Sequence, residues 1–587
     1  MHYSSLVSVY QSLESTSKRL EKTRLLSEFL KKVPEAELER TILLLQGRVF
    51  PSWDSRNLGF STALAVKAIA AATGNTEAKV TSLWKKEGDL GKVAALLSEK
   101  KKQTALFATD VSVKEVVETL RKLPGREGKG SVDQKVKSVA ALLGSATGEE
   151  ARFLVRTVLE TLRVGVAEGT LRDAICWTYL DPPITFDMEK NDIGLKDEET
   201  RDAYNKLLAV VQKAYDRCND YGLVAATAKT GGVKALEKIS LALFTPVRVM
   251  LAQREPSVAA GLERVGKPGA LEYKYDGFRM QVHKEDDKVI IFTRRLEEVT
   301  EQFPEVVEAV KEHVKAKTAI FDCEAVGFDS KTGKYTPFQQ ISQRIRRKYD
   351  IAAIQEKFPV ELNIFDALYL DGEELLDTPF AERRKLLEKA IKPVPKRVRL
   401  SELLITSDDK AAEKFYKESL AAGNEGVMCK ALDGKYQPGS RVGHMVKVKP
   451  VLDTMDLVVV AAEWGEGKRS GWLTSFTVAC QDDDNELVTI GKVGTGLKEL
   501  EQEDGVTFNQ VTELLKPHIL SESGREVTVK PDVVFEIAFE EIQRSPSYTS
   551  GYALRFPRIL RVRDDRSPNE VTTIEEVHVA FEHQRGR

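Results

Sequence analysis

Long apolar runs are missing from this chain. No stretch of about 18 apolar residues occurs, so a membrane-spanning helix is not expected. The N-terminus, MHYSSLVSVYQSLEST, lacks the basic and apolar regions of a signal peptide. Cysteine is scarce: the 587 residues contain five, Cys176, Cys218, Cys323, Cys429 and Cys480. None forms a CxxC pair, which speaks against a zinc site or a disulfide framework and for a reducing, cytoplasmic location. Neither sign of charge dominates, with 88 Lys and Arg against 90 Asp and Glu and a net charge of −2. A near-zero total does not exclude nucleic acid, because binding depends on local patches. Two basic clusters are candidates: Arg344, Arg346, Arg347 and Lys348, then Arg555, Arg558, Arg561 and Arg563. There is no internal repeat and no long low-complexity tract; GREGKGS (125–131) reads as a flexible loop.

The length suggests about three or four domains. Residues 1 to 245 read as helical: Leu25, Leu26, Phe29 and Leu30 recur at helical spacing, as do Val155, Val158, Leu159 and Leu162. From 246 the character changes to α+β. KVIIFTRR (288–295), TAIFDCEAVGF (318–328) and VELNIFDALYL (360–370) read as strands, with helices over 303–314 and 380–389 between and after them. A third region, from 451, holds short strand-like runs (DLVVVAAEW, LTSFTVAC, ELVTIGKV, REVTVK, VVFEIAFEEI) and predicts a small β-barrel, an OB-fold. A helical or mixed segment is expected after Pro557.

The chemistry centres on EYKYDGFRMQVHK (272–284). Lys274 lies on an alternating, strand-like stretch, with an acid two residues before it, Asp276-Gly277 after it and Arg279 five residues on. Lysine is a poor nucleophile while protonated in water and a good one when desolvated or set among other cations. Lys-x-Asp-Gly alone is a weak signal, since a solvated strand-end lysine before a turn has the same pattern. Further residues follow in order: Arg294 at a strand end; Asp322 and Glu324, two apart and so on one face of a strand; the aromatic Phe365; Glu425 and Lys430 in NEGVMCK; Arg441, Lys447 and Lys449 in RVGHMVKVKP; and Arg563, Asp565 and Arg566 in RFPRILRVRDDRSPNE. Paired carboxylates beside a triphosphate can hold Mg²⁺ or bond a ribose hydroxyl. Phosphoryl transfer is mostly positioning and electrostatics, which asks for converging cations.

In order and spacing this set resembles the motifs of ATP-dependent DNA ligases of the archaeal and eukaryotic type. GRVFPSWDSRNLGF (47–60) and TLRVGVAEGTLRDAI (161–175) are similar to segments of their helical DNA-binding domain, and TPVRVMLAQ (245–253) to the linker before their catalytic domain. The resemblance implies an all-α DNA-binding domain (1–245), an α+β adenylyltransferase domain (246–450) and a C-terminal OB-fold (451–587). It implies Lys274 as nucleophile toward ATP. It puts Glu272 on adenine and Phe365 on the face of that base. Arg279, Arg294 and Glu324 fall around ribose and phosphate. Arg441, Lys447, Lys449, Arg563 and Arg566 fall on the phosphates, and Glu324 and Glu425 are the Mg²⁺ ligands. The implied function is the sealing of nicks in duplex DNA through lysyl-AMP and DNA-adenylate, in replication, repair and recombination, by a monomer associated with the nucleoid. Gln103, Leu106 and Phe107 resemble a shortened sliding-clamp motif; the bland reading is a helix-start glutamine with two core residues.

Two positions depart from the family pattern: Arg566 stands where lysine is usual, and Met445 where tryptophan is usual. GEGKRSG (465–471) imitates a phosphate loop but has Arg469 where Ser or Thr must follow Gly-Lys. The competing readings are an mRNA-capping guanylyltransferase or RNA ligase, and a non-catalytic DNA clamp or scaffold. The long helical segment and the full set of charged residues stand against these. The absence of a four-cysteine zinc module stands against an NAD-using ligase.

Overall fold

A computed structural model describes residues 1–54, 56–99, 111–128, 130–187, 189–336, 341, 344, 351–450, 454–466, 469–500 and 505–584. Gln103, Leu106 and Phe107, the basic residues 346–348 and Lys468 of the phosphate-loop imitation lie outside the described residues. The chain divides into two compact units that interleave in sequence. Residues 1–253, 277–401 and 430–445 form the first, and 254–276, 402–429 and 446–587 the second. The 246–450 segment thus contributes to both.

In the first unit, the described residues of 1–245 are helices and their connections apart from a short hairpin, Thr185–Asp187 with Asp192–Gly194. Local signals set their ends. Thr147 and Glu150 form a reciprocal capping box that starts the helix Gly148–Val158. That helix stops short of the apolar pattern read from sequence. Glu160 takes a left-handed φ of 55°, and Leu162 reaches the core from the following loop. The Leu25–Leu30 pattern falls on the helix Arg19–Leu30, with Leu26 and Leu30 fully buried. Tyr10 and Phe153 pack with ring centroids 5.0 Å apart, and the Tyr10 hydroxyl donates to the Leu44 carbonyl.

The strands that carry the motifs are β1 (Gly269–Lys274), β2 (Phe278–Glu285), β3 (Lys288–Thr293), β4 (Thr318–Gly327), β5 (Val360–Leu370), β6 (Val398–Leu400), β7 (Leu403–Thr406), β8 (Gly426–Lys430) and β9 (Arg441–Val448). The first unit holds a sheet of order β6-β5-β4-β2-β3, antiparallel except where β6 runs parallel to β5. Helices Pro304–His313 and Phe380–Ala390 sit where the sequence predicts them. The linker before the catalytic segment is held by side chains of β2. Gln281 accepts from the Val247 N–H (2.9 Å) and donates to the Val247 carbonyl (3.1 Å). His283 accepts from the Phe244 N–H (2.9 Å). Burial pushes His283 down to about 3, so the neutral ring carries its proton on Nε2, which faces the Gln281 amide oxygen.

In the second unit β1 lies between β7 and β8. The C-terminal part contains β10 (Thr454–Trp464), β11 (Leu473–Gln481), β12 (Leu487–Val493), β13 (Ile519–Ser523), β14 (Glu526–Val529), β15 (Val534–Ala538), β16 (Glu541–Arg544), β17 (Tyr552–Arg555) and β18 (Arg558–Val562), then the helix Ile574–His583. The sheet path is β12-β11-β10-β14-β13, and β15 pairs with both β10 and β18. Long, bulged β10 serves β15 with its first half and β14 with its second, the bending that an OB-fold requires. The hydrogen bonds do not close a barrel among the described residues. Its core joins both faces: Phe476 and Phe535 meet edge to face at 5.5 Å, and Val511, Leu515 and Val577 are fully buried. The run VVFEIAFEEI, which reads as one strand, is broken at Phe539-Glu540 into β15 and β16. β16 pairs instead with β17 in a separate ribbon.

Candidate active site

Lys274 is the last residue of β1. The opposite face of that strand is anchored by Tyr273, whose ring packs on Phe415 of the helix Asp409–Ala421 at 4.8 Å. Lys274 Nζ lies 2.5 Å from Glu425 Oε2, and Lys449 Nζ lies 2.7 Å from the same oxygen. The Glu425 N–H also donates to the Lys274 carbonyl (2.8 Å), so backbone and side chain both tie the start of β8 to the end of β1. Burial works against the Glu425 charge, yet Lys274 and then Lys449 outweigh it and hold the carboxyl well below the usual carboxylate range. Glycine is required at 426: its φ is +140°, and a Cβ there would lie 2.1 Å from the Val448 carbonyl oxygen. Glu272, two residues before Lys274 and on the same face of β1, is buried; Lys447 is half-buried.

In the first unit the geometry centres on Asp322. Its carboxylate is fully buried and receives two hydrogen bonds from Arg279, at 2.9 and 2.6 Å, and one from the Tyr436 hydroxyl at 2.6 Å. Asp322 is therefore spent on holding Arg279, whereas Glu324, opposite Arg279 in register, is half-buried. Burial opposes the Arg279 charge, but Asp322 overcomes it and raises the guanidinium above its ordinary value. Arg279 also donates to the Met250 carbonyl (3.0 Å), and the Met250 N–H donates to the Tyr436 hydroxyl (3.2 Å). Gly277 permits the close crossing of β4, because a Cβ there would lie 2.4 Å from the Ala325 carbonyl oxygen.

Phe365 sits in a β-bulge. Asp366 pairs with Asp322 and Ile364 with Cys323, leaving Phe365 as the extra residue on β5. A bulge re-aims its side chain. Ile364 and Ala367 belong to the apolar core, but Phe365 does not and is half-exposed. Two cations flank its ring: the Arg279 guanidinium at 5.5 Å and Lys430 Nζ at 5.2 Å from the centroid. Lys430 also lies 3.4 Å from the Phe365 carbonyl. Behind it, Asp366 is fully buried on Arg383 (2.7 and 3.0 Å). Burial works against Asp366, and Arg383 and then Lys430 keep its carboxyl below the usual range.

The other candidates are spread out. Arg294 and Arg441 are exposed at strand ends. Arg563 reaches Asp456 at 2.8 and 3.0 Å and Asp565 at 2.8 Å, while Arg566 Nε lies 3.5 Å from Asp456. Hydrogen bonding to Arg563 draws Asp565 down to about 2. Of the two basic clusters, Arg344 is an internal residue, buried on Glu305 (2.5 Å) beneath the Phe303 ring. Arg555 and Arg561 are paired with Glu541 and Glu536. Met445 is buried, so the position uses its apolar bulk. Tyr436 was not singled out from sequence. It meets Asp322 across 114 positions, and no local pattern announces such a pairing.

Among the described residues no cluster of three His, Cys, Asp or Glu could cage a metal ion. Mg²⁺ does not need one, since it binds through one or two carboxylates with substrate phosphates and water. Glu425 and Glu324 are carboxylates of the type such a site uses, although Glu425 Oε2 is already held by Lys274 and Lys449.

Three family models match consecutive segments: the DNA ligase N terminus over residues 2–176, the ATP dependent DNA ligase domain over 249–449, and the ATP dependent DNA ligase C terminal region over 469–566. The chain is 47% identical to a DNA ligase of Nanoarchaeum equitans, covering 100% of this chain and 99% of that one. It is 43% identical to a DNA ligase of Thermococcus fumicolans, covering 98% of both. The solved structure "Pmar-Lig_PreS3" shares the fold, with a TM-score of 0.55 at 18% identity over 95% of this chain and 99% of that one. Fold and matched segments define a covalent nucleotidyltransferase. More narrowly, the chain belongs to the ATP-dependent DNA ligases, which use ATP and Mg²⁺ and act on nicked DNA. The capping-enzyme, RNA-ligase and scaffold readings are set aside. No helix among the described residues is long and apolar enough to cross a membrane.

Asp322→Ala takes the carboxylate away from the half-buried Arg279 guanidinium and the acceptor away from the Tyr436 hydroxyl. It is expected to cost about 2–3 kcal/mol of stability, less than a fully buried pair because the arginine keeps some contact with water. Tyr436→Phe, which removes one hydrogen bond, should cost about 1–2 kcal/mol. Chemical unfolding of both variants is the measurement; an Asp322→Ala protein as stable as wild type would show that the pair holds nothing in place.

Proposed function

We propose that Lys274 is the nucleophile that takes AMP from ATP. The supporting observation is its position at the end of β1, with a carboxylate oxygen shared between Lys274 and Lys449. The amine attacks the α-phosphorus after giving its surplus proton to solvent. A P–N bond forms as the P–O bond to pyrophosphate breaks, and Glu425 orients the amine. AMP then passes to the 5′-phosphate at a nick: the P–N bond breaks and a phosphoanhydride forms. The 3′-hydroxyl attacks that 5′-phosphorus, a phosphodiester forms, and AMP leaves. Mg²⁺, when bound through Glu425 and Glu324, supplies charge neutralisation at the phosphates.

Glu272 selects adenine by hydrogen bonding and Phe365 stacks on it. Arg279 and Arg294 serve ribose and phosphate, together with Glu324. Arg441, Lys447 and Lys449 serve the phosphates, and Arg563 and Arg566 orient pyrophosphate. The working domains are 1–245, 246–450 and 451–587, and the duplex is held through phosphate contacts, so affinity falls with salt and depends little on sequence. Gln103, Leu106 and Phe107 dock a sliding clamp. The enzyme acts as an intracellular, nucleoid-associated monomer.

Lys274→Ala should abolish the AMP adduct and nick sealing while duplex binding persists. Protein mass before and after pyrophosphate treatment reports the adduct, and an acid-labile AMP adduct on the variant would mean another lysine is the nucleophile. Phe365→Ala should weaken ATP use by about 1–3 kcal/mol with little change in thermal stability; a collapse of stability with normal ATP affinity would make Phe365 a core residue. Arg563→Ala/Arg566→Ala should block adenylation yet still seal a nick supplied already adenylated. Equal losses in the two rates would transfer these arginines to DNA binding or to the fold.

A further inference from the structure

Glu540 occupies the bend that breaks VVFEIAFEEI into two strands. Its N–H donates to the Arg555 carbonyl (2.9 Å), and its neighbour Glu541 turns inward and pairs with Arg555 (3.1 Å). The Glu540 side chain turns the other way, and Oε2 lies 3.1 Å from Lys449 Nζ. Lys449 thus carries two carboxylates, Glu425 at 2.7 Å and Glu540 at 3.1 Å. They are not equivalent. The Glu425 side chain is 12% exposed and is held by two lysines, whereas Glu540 is 41% exposed and has water at hand. An ammonium has three donors; two face these carboxylates, so a phosphate that takes more than the third must displace one of them. A phosphate oxygen arriving at Lys449 displaces the carboxylate that costs least to rehydrate, which is Glu540.

We propose that Glu540 is a positioning residue that acts through Lys449, an internal carboxylate that stands in for a nucleotide phosphate oxygen and yields when the triphosphate binds. This rests on the reading of Lys449 as a phosphate-side lysine. Glu540 keeps the Lys449 chain extended and charge-compensated without nucleotide, at the cost of competing with ATP. Removing its charge therefore strengthens nucleotide binding and leaves the chemical step alone.

The test is the rate of self-adenylation against ATP concentration in the full-length protein. Glu540→Gln should lower KM for ATP about two- to fivefold, the range expected for one partly exposed ion pair. The maximal rate and the sealing of a pre-adenylated nick should not change. In a Lys449→Ala background the same substitution should have no effect, because the coupling runs through that ammonium. An unchanged or raised KM in Glu540→Gln, with Lys449→Ala impaired in adenylation, overturns the stand-in role and leaves the reading of Lys449 intact; a lowered melting temperature with it assigns Glu540 a bracing role. Normal adenylation by Lys449→Ala overturns both.

Discussion

One carboxylate oxygen, Glu425 Oε2, receives two ammonium groups, and the second unit's chemistry depends on that arrangement. A buried carboxylate is costly unless its charge is answered. Here the answer comes from the last residue of β1 and the residue just after β9, so the ends of β1, β8 and β9 share one register. Gly426 follows from the same constraint, because the crowding against the Val448 carbonyl leaves no room for a Cβ. The arrangement also fixes the direction of the Lys274 amine, which an isolated strand-end lysine lacks.

The first unit solves a parallel problem with opposite signs. Arg279 is drawn inward by Asp322, and Tyr436 takes up the remaining capacity of that carboxylate. Holding the guanidinium still gives the Phe365 ring a fixed cationic neighbour, and the bulge in β5 is what keeps that ring out of the core. A regular strand would have continued the alternation and hidden one of the neighbouring side chains on the wrong face. Asp366 on Arg383 anchors the strand just behind the bulge, so the irregularity sits between two rigid ion pairs.

In the C-terminal part Arg563 is committed to Asp456 of its own sheet and to Asp565 of the following turn. Such pairs are modest in energy where they are exposed. The Arg563–Asp456 pair is mostly covered and holds that guanidinium in one direction. Glu540 and Lys449 repeat this logic at a single contact, made possible because the chain bends at Phe539-Glu540 where its apolar content would favour one long strand.

Much of this molecule was readable from the sequence alone. Periodicity located the strands at 288, 318 and 360 and the helices at 304 and 380, because side-chain burial repeats with backbone period. The motif order singled out Lys274, Glu425, Lys449 and Phe365, and the structure brings the first three together on one carboxylate oxygen. What the sequence could not decide was pairing. Whether Asp322 would face a cleft or bind Arg279, whether Arg344 would be a surface cation or a buried one, and whether Phe365 would pack inside depend on neighbours dozens of residues away. The strand break at Glu540 was hidden for the same reason: β16 follows β17 rather than its own apolar run. Local sequence sets which residues can form an element, but the charge partner that makes burial tolerable arrives only with the tertiary fold.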